Sequence, residues 1–428
     1  MKKSQNHGLE GLQDDKEGLE GYKKTDVGVI PDDWEVVKLS AVSWKIQDGT
    51  HFSPKVSNGS YRYITSKNIK VGYIDLKECA WISEEEHNKI YARCDVKYND
   101  VLLTKDGVNT GNAAINYLNE PFSLLSSVAF IRPINNILNA RFLLDYILSP
   151  SGHQRLIDMM TGLAITRLTL NKIKDFKIPL PPLAEQKAIA QSLSDVDALI
   201  TECDRIITKK RNTKQGTMQQ LLTGKKRLPG FSGEWEVKNL GEIGDCIIGL
   251  TYKPENVKEN GLLVLRSSNI GDNQLKFDDN VFVDVAVPEK LITKQGDILI
   301  CVRNGSRQLI GKNAIIDKDS EGFTFGAFMS VYRTKFYKYV FHAFQSNSIK
   351  RQIHENIGAT INQITNKNLN SFQILLPPLE EQQAIAQILS DMDAEIEGLE
   401  QKRDKYKAIK QGMMQELLIG KTRLISSS

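Results

Sequence analysis

The stretch Leu180-Pro-Pro-Leu-Ala-Glu-Gln-Lys-Ala-Ile-Ala-Gln191 occurs a second time in this chain, as Leu376-Pro-Pro-Leu-Glu-Glu-Gln-Gln-Ala-Ile-Ala-Gln387. The similarity extends over 49 residues, 180–228 and 376–424, which lie 196 positions apart without a gap and are identical at 28 positions. Both copies close with Gly-Lys-x-Arg-Leu, at 224–228 and 420–424. A repeat of this extent indicates that the chain contains one structural element twice.

Each copy is predicted to form one long helix. Its proline pair can stand at or before the first helical turn, and Glu185 or Glu381 then complements the positive end of the helix. Steps of four and three residues define a heptad seam, apolar at its ends and polar in its middle. About 40 residues at about 1.5 Å per residue give a rod of about 60 Å. The seam positions are Ile189, Leu193, Val196, Ile200, Cys203, Ile207, Lys210, Lys214, Thr217 and Leu221, and Ile385, Leu389, Met392, Ile396, Leu399, Arg403, Tyr406, Lys410, Met413 and Leu417.

The two helices are expected to pair with each other inside the chain, since a single one would expose its seam to water. The alternative is that each helix packs on its own globular domain. Residues 229–375, between the copies, are long enough for a compact domain. Antiparallel pairing is favoured because parallel pairing would require that domain to carry the chain back along the whole rod.

The regions before the two helices resemble each other. Shared landmarks are Trp34-Glu-Val36 and Trp235-Glu-Val237, Gly49-Thr50 and Gly249-Leu-Thr251, and the apolar strands after Asp100 and Asp297. Their strands are short and punctuated by turns, which indicates mixed α/β domains dominated by antiparallel sheet. We therefore predict an α+β fold: two mixed α/β domains separated by two long helices that form an antiparallel intramolecular coiled coil, with pseudo-two-fold symmetry.

The predicted domain boundaries follow from the repeat. They are a flexible N-terminal tail at 1–27, a first domain at 28–179, the first repeated helix at 180–228, a second domain at 229–375, the second repeated helix at 376–424 and a short tail at 425–428.

Composition predicts a cytoplasmic protein without a metal site. The five cysteines form no Cys-x-x-Cys pair and the six histidines do not cluster with them, which argues against zinc and for reduced thiols. The polar N-terminus and the lack of long apolar runs argue against a signal peptide or a membrane span. The formal net charge of +4 does not by itself indicate a nucleic-acid binder.

Apparent catalytic motifs fail on inspection. Gly420-Lys421-Thr422 resembles the end of a phosphate-binding loop, but Gln415 occupies the place of the required glycine. The Leu-Pro-Pro-Leu steps lack the Asn or Asp and the aromatic residue that an amino-methyltransferase needs. We therefore expect this chain to have no catalytic residues.

The duplicated helix with two related but diverged domains resembles the specificity subunit of type I restriction–modification enzymes. The resemblance covers the chain from about Gly28 onward, and Asp48-Gly-Thr-His51 with Pro54 matches a turn common in that family. It implies that each domain is a target recognition domain for one half of a bipartite double-stranded DNA site, with the helices setting the gap between the halves. Two modification subunits, which bind S-adenosylmethionine and methylate adenine N6, would dock on the helices. Two restriction subunits would add ATP- and Mg-dependent translocation and cleavage, so that this chain would need no cofactor of its own.

Candidate DNA-binding residues are those whose side chains can contact bases or phosphates and that lie in predicted loops. In the first domain they are Asp48, Gly49, Thr50, His51, Tyr61, Arg62, Thr65, Ser66, Lys67, Asn68, Lys105, Asp106, Asn109 and Arg167, the last in a loop at 161–167. In the second they are Thr251, Tyr252, Lys253, Arg266, Ser267, Ser268, Asn269, Arg303, Asn304, Arg307, Asn362 and Gln363, the last two in a loop at 360–363. For any single one of them, a structural turn or a solvated side chain is a more common role than a base contact.

Candidates for docking the modification subunits are the polar residues repeated on the two helices, Glu185, Gln186 and Gln191, and Glu381, Gln382 and Gln387. Helix capping and solubility are the alternative roles for these residues. Three alternatives to the leading function stay open: a specificity subunit of a methylation-only or other restriction system, a self-sufficient methyltransferase or nuclease, and a coiled-coil scaffold without sequence specificity.

Overall fold

The computed structural model describes residues 20–160, 167–358 and 361–425. These residues form two compact units. Unit 1 combines Met1–Asp204 with Gln401–Ser428, and unit 2 is Arg205–Glu400. Each unit therefore contains one globular domain and one half of each long helix.

Unit 1 contains the elements of the first domain. They are β1 (Tyr22–Thr25), β2 (Gly28–Pro31), β3 (Glu35–Lys38), a 3-10 turn (Leu39–Ala41), β4 (Ser43–Asp48), β5 (Val56–Ile64), β6 (Ala80–Ile82), α1 (Glu84–Tyr91), β7 (Val101–Thr104), β8 (Ala113–Ile115), β9 (Ser123–Leu124), β10 (Val128–Pro133), α2 (Ala140–Leu148), α3 (Pro150–Asp158), α4 (Leu170–Asp175), β11 (Lys177–Leu180) and the first half of α5 (Leu183–Leu221).

A four-stranded antiparallel sheet in the order β4-β10-β7-β8 forms the centre of unit 1. A second sheet has the order β6-β5-β9, in which β5 and β9 run parallel. The central strand β7 is buried on both sides because its side chains alternate between two cores. Val101 and Leu103 pack with the helices, whereas Leu102 packs with the second sheet.

The predicted boundary of the N-terminal tail is wrong. Strands β1 and β2 form an antiparallel hairpin in which Tyr22 pairs with Pro31. The Tyr22 hydroxyl also donates a hydrogen bond to the Gly420 carbonyl (3.2 Å). Ordered structure thus begins before residue 28, and residues 1–19 of the predicted tail lie outside the described residues.

Unit 2 contains the elements of the second domain. They are β12 (Glu236–Asn239), α6 (Leu240–Ile243), β13 (Asp245–Ile248), a 3-10 turn (Pro254–Asn256), β14 (Val257–Lys258), β15 (Leu262–Leu265), a 3-10 turn (Ser267–Asn269), β16 (Ile270–Gly271), β17 (Gln274–Leu275), β18 (Phe282–Val283), a 3-10 turn (Glu289–Leu291), β19 (Ile298–Cys301), a 3-10 turn (Arg307–Leu309), β20 (Asn313–Ile315), β21 (Thr324–Phe325), β22 (Met329–Arg333), α7 (Tyr337–Phe344), α8 (Asn347–Asn356), α9 (Asn366–Ser371), β23 (Gln373–Leu376) and the first half of α10 (Leu379–Leu417).

The second domain repeats the plan of the first. Its central antiparallel sheet has the order β13-β22-β19-β20, and its second sheet has the order β14-β18-β15-β21, with β15 and β21 parallel. Each central sheet also contains the same arginine–aspartate pair, joined by two hydrogen bonds. Arg132 in β10 binds Asp100, just before β7 (2.9 and 2.9 Å). Arg333 in β22 binds Asp297, just before β19 (2.7 and 2.7 Å). The prediction of two related, mainly antiparallel domains is confirmed.

The long helices carry the predicted seam. Every seam residue named from the sequence is buried or half-buried, including the polar Lys214 and Lys410. In unit 1, Ile189 and Leu193 of α5 belong to one core with Met414 and Leu417 of α10. In unit 2, Met218 and Leu221 of α5 belong to one core with Ile385 and Leu389 of α10.

Ion pairs show that the helices run antiparallel. In unit 1, Lys410 binds Asp197 (2.7 Å) and Arg423, just beyond α10, binds Glu185 (2.7 Å). Unit 2 contains the same two ion pairs with the two repeats interchanged: Lys214 of the first repeat binds Asp393 of the second, and Arg227 binds Glu381. The predicted antiparallel pairing of the two copies is confirmed.

A buried carboxylate at the start of α5 joins three segments of unit 1. The Glu185 carboxylate accepts hydrogen bonds from the Trp34 indole N–H (3.1 Å) and from the Arg423 guanidinium (2.7 and 2.8 Å). Arg423 also lies against the Trp34 ring and binds Asp33. Glu185 and Asp33 hold the pKa of Arg423 above its usual range. The segment just before β3, the first repeat and the second repeat therefore meet at Glu185.

Unit 2 contains the same cluster. The Glu381 carboxylate accepts from the Trp235 indole N–H (2.9 Å) and from Arg227 (2.8 and 2.5 Å). Gly224 and Gly420 have φ angles of +68° and +72°, which turn the chain after each helix toward the arginine of the cluster. The Trp-Glu-Arg cluster thus explains why Glu, Gly and Arg recur at fixed places in both repeats.

We expect Glu185→Ala to lower the free energy of unfolding by about 3 kcal/mol, because it leaves the Trp34 indole N–H without its acceptor and the partly buried Arg423 guanidinium with Asp33 alone. Lys187→Ala, at an exposed position of the same helix, is the matched control and should change it by less than about 0.5 kcal/mol. Urea denaturation followed by tryptophan fluorescence measures both. Equal stabilities of the two variants would show that the cluster does not support the fold.

A buried histidine faces the seam ion pair of unit 2. The His342 ring hydrogen-bonds to the Ser390 hydroxyl (3.1 Å), and burial together with the charge of Lys214 lowers its pKa from 6.5 to about 3. The unfolded chain therefore binds a proton below pH 6.5 that the folded chain does not. The neutral, buried His342 therefore contributes its full stabilisation to the free energy of unfolding above pH 6.5, and this stabilisation is lost as the pH falls toward 3.

The wild-type chain should lose about 2 kcal/mol of stability through His342 between pH 7.5 and pH 5.0. His342→Gln should remove that part of the pH dependence, whereas His354→Gln, at an exposed histidine of the same unit, should leave it unchanged. Denaturation midpoints of the three proteins at both pH values test this. A pH dependence in His342→Gln equal to that of the wild type would contradict a buried neutral imidazole.

Candidate nucleic-acid interface

In unit 1 several predicted loops converge beyond the end of β7. Asp106 forms a β-bridge with Arg167, and the Leu168 N–H donates to the Lys105 carbonyl (3.0 Å). The Asn109 side chain donates to the Ser66 carbonyl (3.3 Å), which adds the 65–68 turn. The loops at 65–68, 105–109 and 167 therefore form one surface. Residues 161–166 of the predicted loop lie outside the described residues.

The Asp48–His51 turn is anchored by a buried ion pair. Asp48 and Lys105 are both buried and lie 3.5 Å apart, and the Asp48 carboxylate also lies 3.2 Å from the His51 ring. Thr50 is buried, and a side chain at Gly49 would collide with the backbone of Leu124. Of this predicted group only His51 is exposed, so Asp48, Gly49, Thr50 and Lys105 shape the loop rather than present contacts.

Asn68 and Asn269, candidates for reading adenine, are buried and used internally. Asn68 accepts from the Thr65 N–H (3.0 Å) and donates to the Asp75 carbonyl (3.0 Å). Asn269 accepts from the Arg266 N–H (2.9 Å) and donates to the Lys276 carbonyl (3.0 Å). This corrects the expectation for both residues, because each carboxamide closes a turn by mimicking a backbone group.

The remaining candidates of unit 1 divide by exposure. Tyr61 stacks on the His87 ring (centroids 3.9 Å apart), and Arg62 lies over the Trp81 ring and pairs with Glu120. Internal contacts therefore orient both side chains. Thr65, Ser66, Asp106 and Asn109 are half-buried, and Lys67 and Arg167 are exposed.

In unit 2 the corresponding loops also converge. Arg303 forms a β-bridge with Gln363, and the Asn304 N–H donates to the Asn362 carbonyl (3.2 Å). The Asn304 side chain donates to the Ser267 hydroxyl (3.0 Å). These candidates form one surface, and residue 360 of the predicted loop lies outside the described residues.

Arg303 is an exposed cation of this surface. Its exposed guanidinium lies 4.8 Å from the centre of the Phe328 ring, which is itself 55% exposed. An aromatic ring packed against the guanidinium keeps the arginine side chain extended, so that it can donate two parallel hydrogen bonds to one partner. Phe328 was not among the candidates from the sequence, because it lies in the turn between β21 and β22 and only its exposure in the structure distinguishes it.

The other candidates of unit 2 are more peripheral. Arg266 is held by Asp279 (2.8 Å), and Arg307 donates to the His354 carbonyl (3.2 Å). Tyr252 packs against a core, while Thr251, Lys253 and Ser268 are exposed.

Equivalent positions of the two surfaces carry different side chains. Asp48 and Ile248 occupy equivalent positions in β4 and β13. Asp48 pairs with Ala129, which pairs with Leu103, the third residue of β7. Ile248 pairs with Ser330, which pairs with Ile300, the third residue of β19. In the same way Asp106 corresponds to Arg303, since each bridges to the segment before the last domain helix, at Arg167 or Gln363. The same backbone arrangement therefore carries Asp106 bridged to Arg167 in unit 1, and Arg303 bridged to Gln363 in unit 2.

The predicted docking residues divide into two groups. Glu185, Gln186, Glu381 and Gln382 are 0–4% exposed and are engaged inside their own units, which corrects the expectation that they form an open docking surface. Gln191 and Gln387 are exposed, and each donates to an aspartate one helical turn later, Asp195 or Asp391. A docking role for these two residues stays a prediction.

Cysteine thiols in both units have raised pKa values. Burial raises the pKa of Cys94 and of Cys246 to about 12 and that of Cys301 to about 11, so these thiols stay protonated at neutral pH. Among the described residues no group of His, Cys, Asp and Glu could hold a metal ion. Within the same part of the chain, none of the helices has the length and apolar character needed to cross a membrane.

Comparison with known proteins gives a consistent picture. Residues 31–211 and 232–408 match the family described as type I restriction modification DNA specificity domain. The chain is 28% identical over 443 residues to a putative type I restriction enzyme MjaX specificity subunit of Methanocaldococcus jannaschii, covering 95% of this chain and 97% of that protein. It is 29% identical over 197 residues to the EcoKI specificity subunit of Escherichia coli, covering 44% of this chain and 42% of that protein.

Solved structures share the fold. The crystal structure of a type I restriction–modification S subunit from M. genitalium superposes with a TM-score of 0.56 at 16% identity, covering 90% of this chain and 96% of that chain. A chain from a study of assembly and conformational transition of a type I R-M system has a TM-score of 0.54 at 18% identity, covering 92% and 99%.

Asn269→Ala should lower the free energy of unfolding by about 2 kcal/mol, since it removes a fully buried carboxamide and leaves its backbone partners unsatisfied. The exposed neighbour Ser268 provides the control, and Ser268→Ala should have little effect. Thermal and urea denaturation measure both. If Asn269→Ala were as stable as the wild type but had lost DNA recognition, Asn269 would be a base-reading residue after all.

Proposed function

The chain belongs to the family of type I restriction–modification DNA specificity proteins, and we propose that it acts as the non-catalytic subunit that reads a bipartite DNA site, one half through each domain. The single observation that carries this proposal is the difference in side chains on equivalent loops. Asp106 with Arg167 in unit 1 stands where Arg303 with Gln363 stands in unit 2. Two related domains with different loop chemistry suit two different half-sites.

The exposed cations suit recognition of guanine or phosphate. Arginine binds the O6 and N7 atoms of guanine through two hydrogen bonds, and glutamine binds adenine in the same way. Arg303 and Gln363 lie on adjacent bridged segments, so one half-site would be read by this pair. In unit 1, Arg167, Lys67 and Asn109 would contribute the corresponding contacts.

The helices would set the gap between the half-sites. Each long helix has 39 residues, or about 60 Å at about 1.5 Å per residue, which exceeds the roughly 34–36 Å of one turn of DNA. Exposed residues repeated on both helices, such as Gln191 and Gln387, would present similar surfaces to two modification subunits.

The chemistry would lie in the partner subunits. S-adenosylmethionine would be bound by two modification subunits that methylate adenine N6, and ATP with Mg by two restriction subunits that translocate and cleave DNA. This chain would contribute the choice of site and would bind no cofactor. We place the complex in the cytoplasm, where its DNA substrate lies.

Methylation mapping tests the assignment of one domain to each half-site. In cells that carry this chain with its modification subunit, Arg303→Ala should relax one half of the methylated motif, with a loss of about 1–3 kcal/mol of discrimination at one base pair. Arg167→Ala should affect only the other half. Sequencing that detects N6-methyladenine measures both motifs.

Arg351→Ala is the control, since Arg351 is an exposed arginine on α8 of unit 2 outside these loops. It should leave the motif unchanged. If Arg303→Ala altered both halves together, the assignment of one domain per half-site would be wrong. An unchanged methylation pattern after deletion of this gene would reject the proposed function itself.

A further inference from the structure

Unit 2 has a groove beside the first turns of α10. It has a volume of about 380 Å³ and is lined in part by Phe336, Tyr337, Leu379, Gln382 and Gln387. Leu379 is 52% exposed although it begins the long helix. The groove combines apolar side chains with carboxamides, a chemistry typical of peptide-binding surfaces.

Gln382 carries an unpaired acceptor in this groove. Its side-chain N–H donates to the Pro377 carbonyl (2.6 Å), but its Oε1 atom is buried and has no hydrogen-bond partner among the described residues. The whole residue is only 4% exposed. A buried acceptor without a donor is unfavourable, so this site favours an incoming N–H group.

Unit 1 shows what fits the equivalent position. Gln186 Oε1 accepts from the Asn139 N–H (2.9 Å), and its side-chain N–H groups donate to the Ile137 carbonyl (2.9 Å) and the Pro181 carbonyl (2.8 Å). A loop of the domain therefore satisfies Gln186 with a carbonyl and, two residues later, an N–H. The Gln382 carboxamide has the bond to its proline carbonyl but no donor for its oxygen.

A difference in loop length explains this asymmetry. Seven residues, 133–139, connect Arg132 to α2, whereas three residues, 334–336, connect the equivalent Arg333 to α7. The exposure of the first leucine of each long helix agrees with this difference in loop length: Leu183 of α5 is half-buried, whereas Leu379 of α10 is exposed. The shorter loop leaves open in unit 2 the surface that the chain covers in unit 1.

We propose that this groove binds a short peptide segment of the modification subunit, which takes the place that residues 133–139 fill in unit 1. The inference rests on the proposed function, and it names the contact by which one partner is held. The segment would donate a backbone N–H to Gln382 Oε1 and place an apolar side chain on Leu379. Lys335 and Lys338, both exposed beside the groove, favour acidic residues next to that side chain.

A peptide suits the groove better than DNA does. Phosphate and deoxyribose ring oxygens only accept hydrogen bonds, so a DNA backbone cannot satisfy Gln382 Oε1. Exposed Leu379 and the two aromatic side chains provide apolar contact area for an aliphatic anchor. The two modification subunits would therefore be held unequally, one of them with an additional contact at unit 2.

A loop graft tests this directly. Residues 334–336 of the full chain are replaced by the sequence of residues 133–139, which should fill the groove and supply the missing N–H. The grafted chain should fold at least as stably as the wild type, yet bind one of two modification subunits about tenfold more weakly in titration calorimetry. Leu379→Lys should have the same effect on binding without the graft.

Val257→Lys is the matched control, because Val257 is an exposed apolar residue of unit 2 that does not line the groove. It should leave both affinities unchanged. Unchanged binding in both the graft and Leu379→Lys would overturn the inference while leaving the proposed function intact. Failure of the wild-type chain to bind the modification subunit at all would instead reject the proposed function.

Photo-crosslinking identifies the occupant. A benzophenone amino acid at position 379 of the full chain should crosslink to the modification subunit in the assembled complex, and the same group at position 257 should not. A crosslink from position 379 to a second copy of this chain, or to its own N-terminal residues, would overturn the assignment of the occupant.

Discussion

A buried carboxylate at the start of each long helix holds this protein together. Glu185 binds Trp34 from the first domain and Arg423 from the end of the second repeat. Glu381 does the same with Trp235 and Arg227. Each cluster joins the domain to both repeats. A charge buried in this way is tolerated only when all of its partners are present, so the antiparallel arrangement of the helices and the seating of each domain are coupled.

This constraint leaves the loops of the domains free to differ. The arginine–aspartate pairs Arg132–Asp100 and Arg333–Asp297 are retained in both central sheets. Beyond the ends of those sheets, however, an aspartate in one unit is replaced by an arginine in the other, at Asp106 and Arg303. A stable frame with variable loops is a physical basis for reading two different DNA sequences.

Much of the frame could be predicted from the residues, but less of the site. The seam of the two helices, the antiparallel pairing and the relationship of the domains follow from periodicity and from the length of the intervening segment. The candidates Asn68 and Asn269 have side chains able to read adenine, yet they close turns because a backbone N–H and a carbonyl lie within reach of each carboxamide. Phe328 was missed because a lone phenylalanine in a turn gives no sign of its exposure.

The sequence by itself determined that one helix occurs twice, that its seam needs a partner, and that two related domains precede the copies, since these conclusions depend on spacing along the chain. Only the tertiary structure decided which repeated polar residues are buried and which are exposed. Glu185 and Gln186 recur as regularly as Gln191, but burial depends on what packs over each side chain. The groove at Gln382 is open whereas the equivalent position at Gln186 is filled, because the loop of unit 2 is four residues shorter, and this consequence appears only where that loop meets the helix.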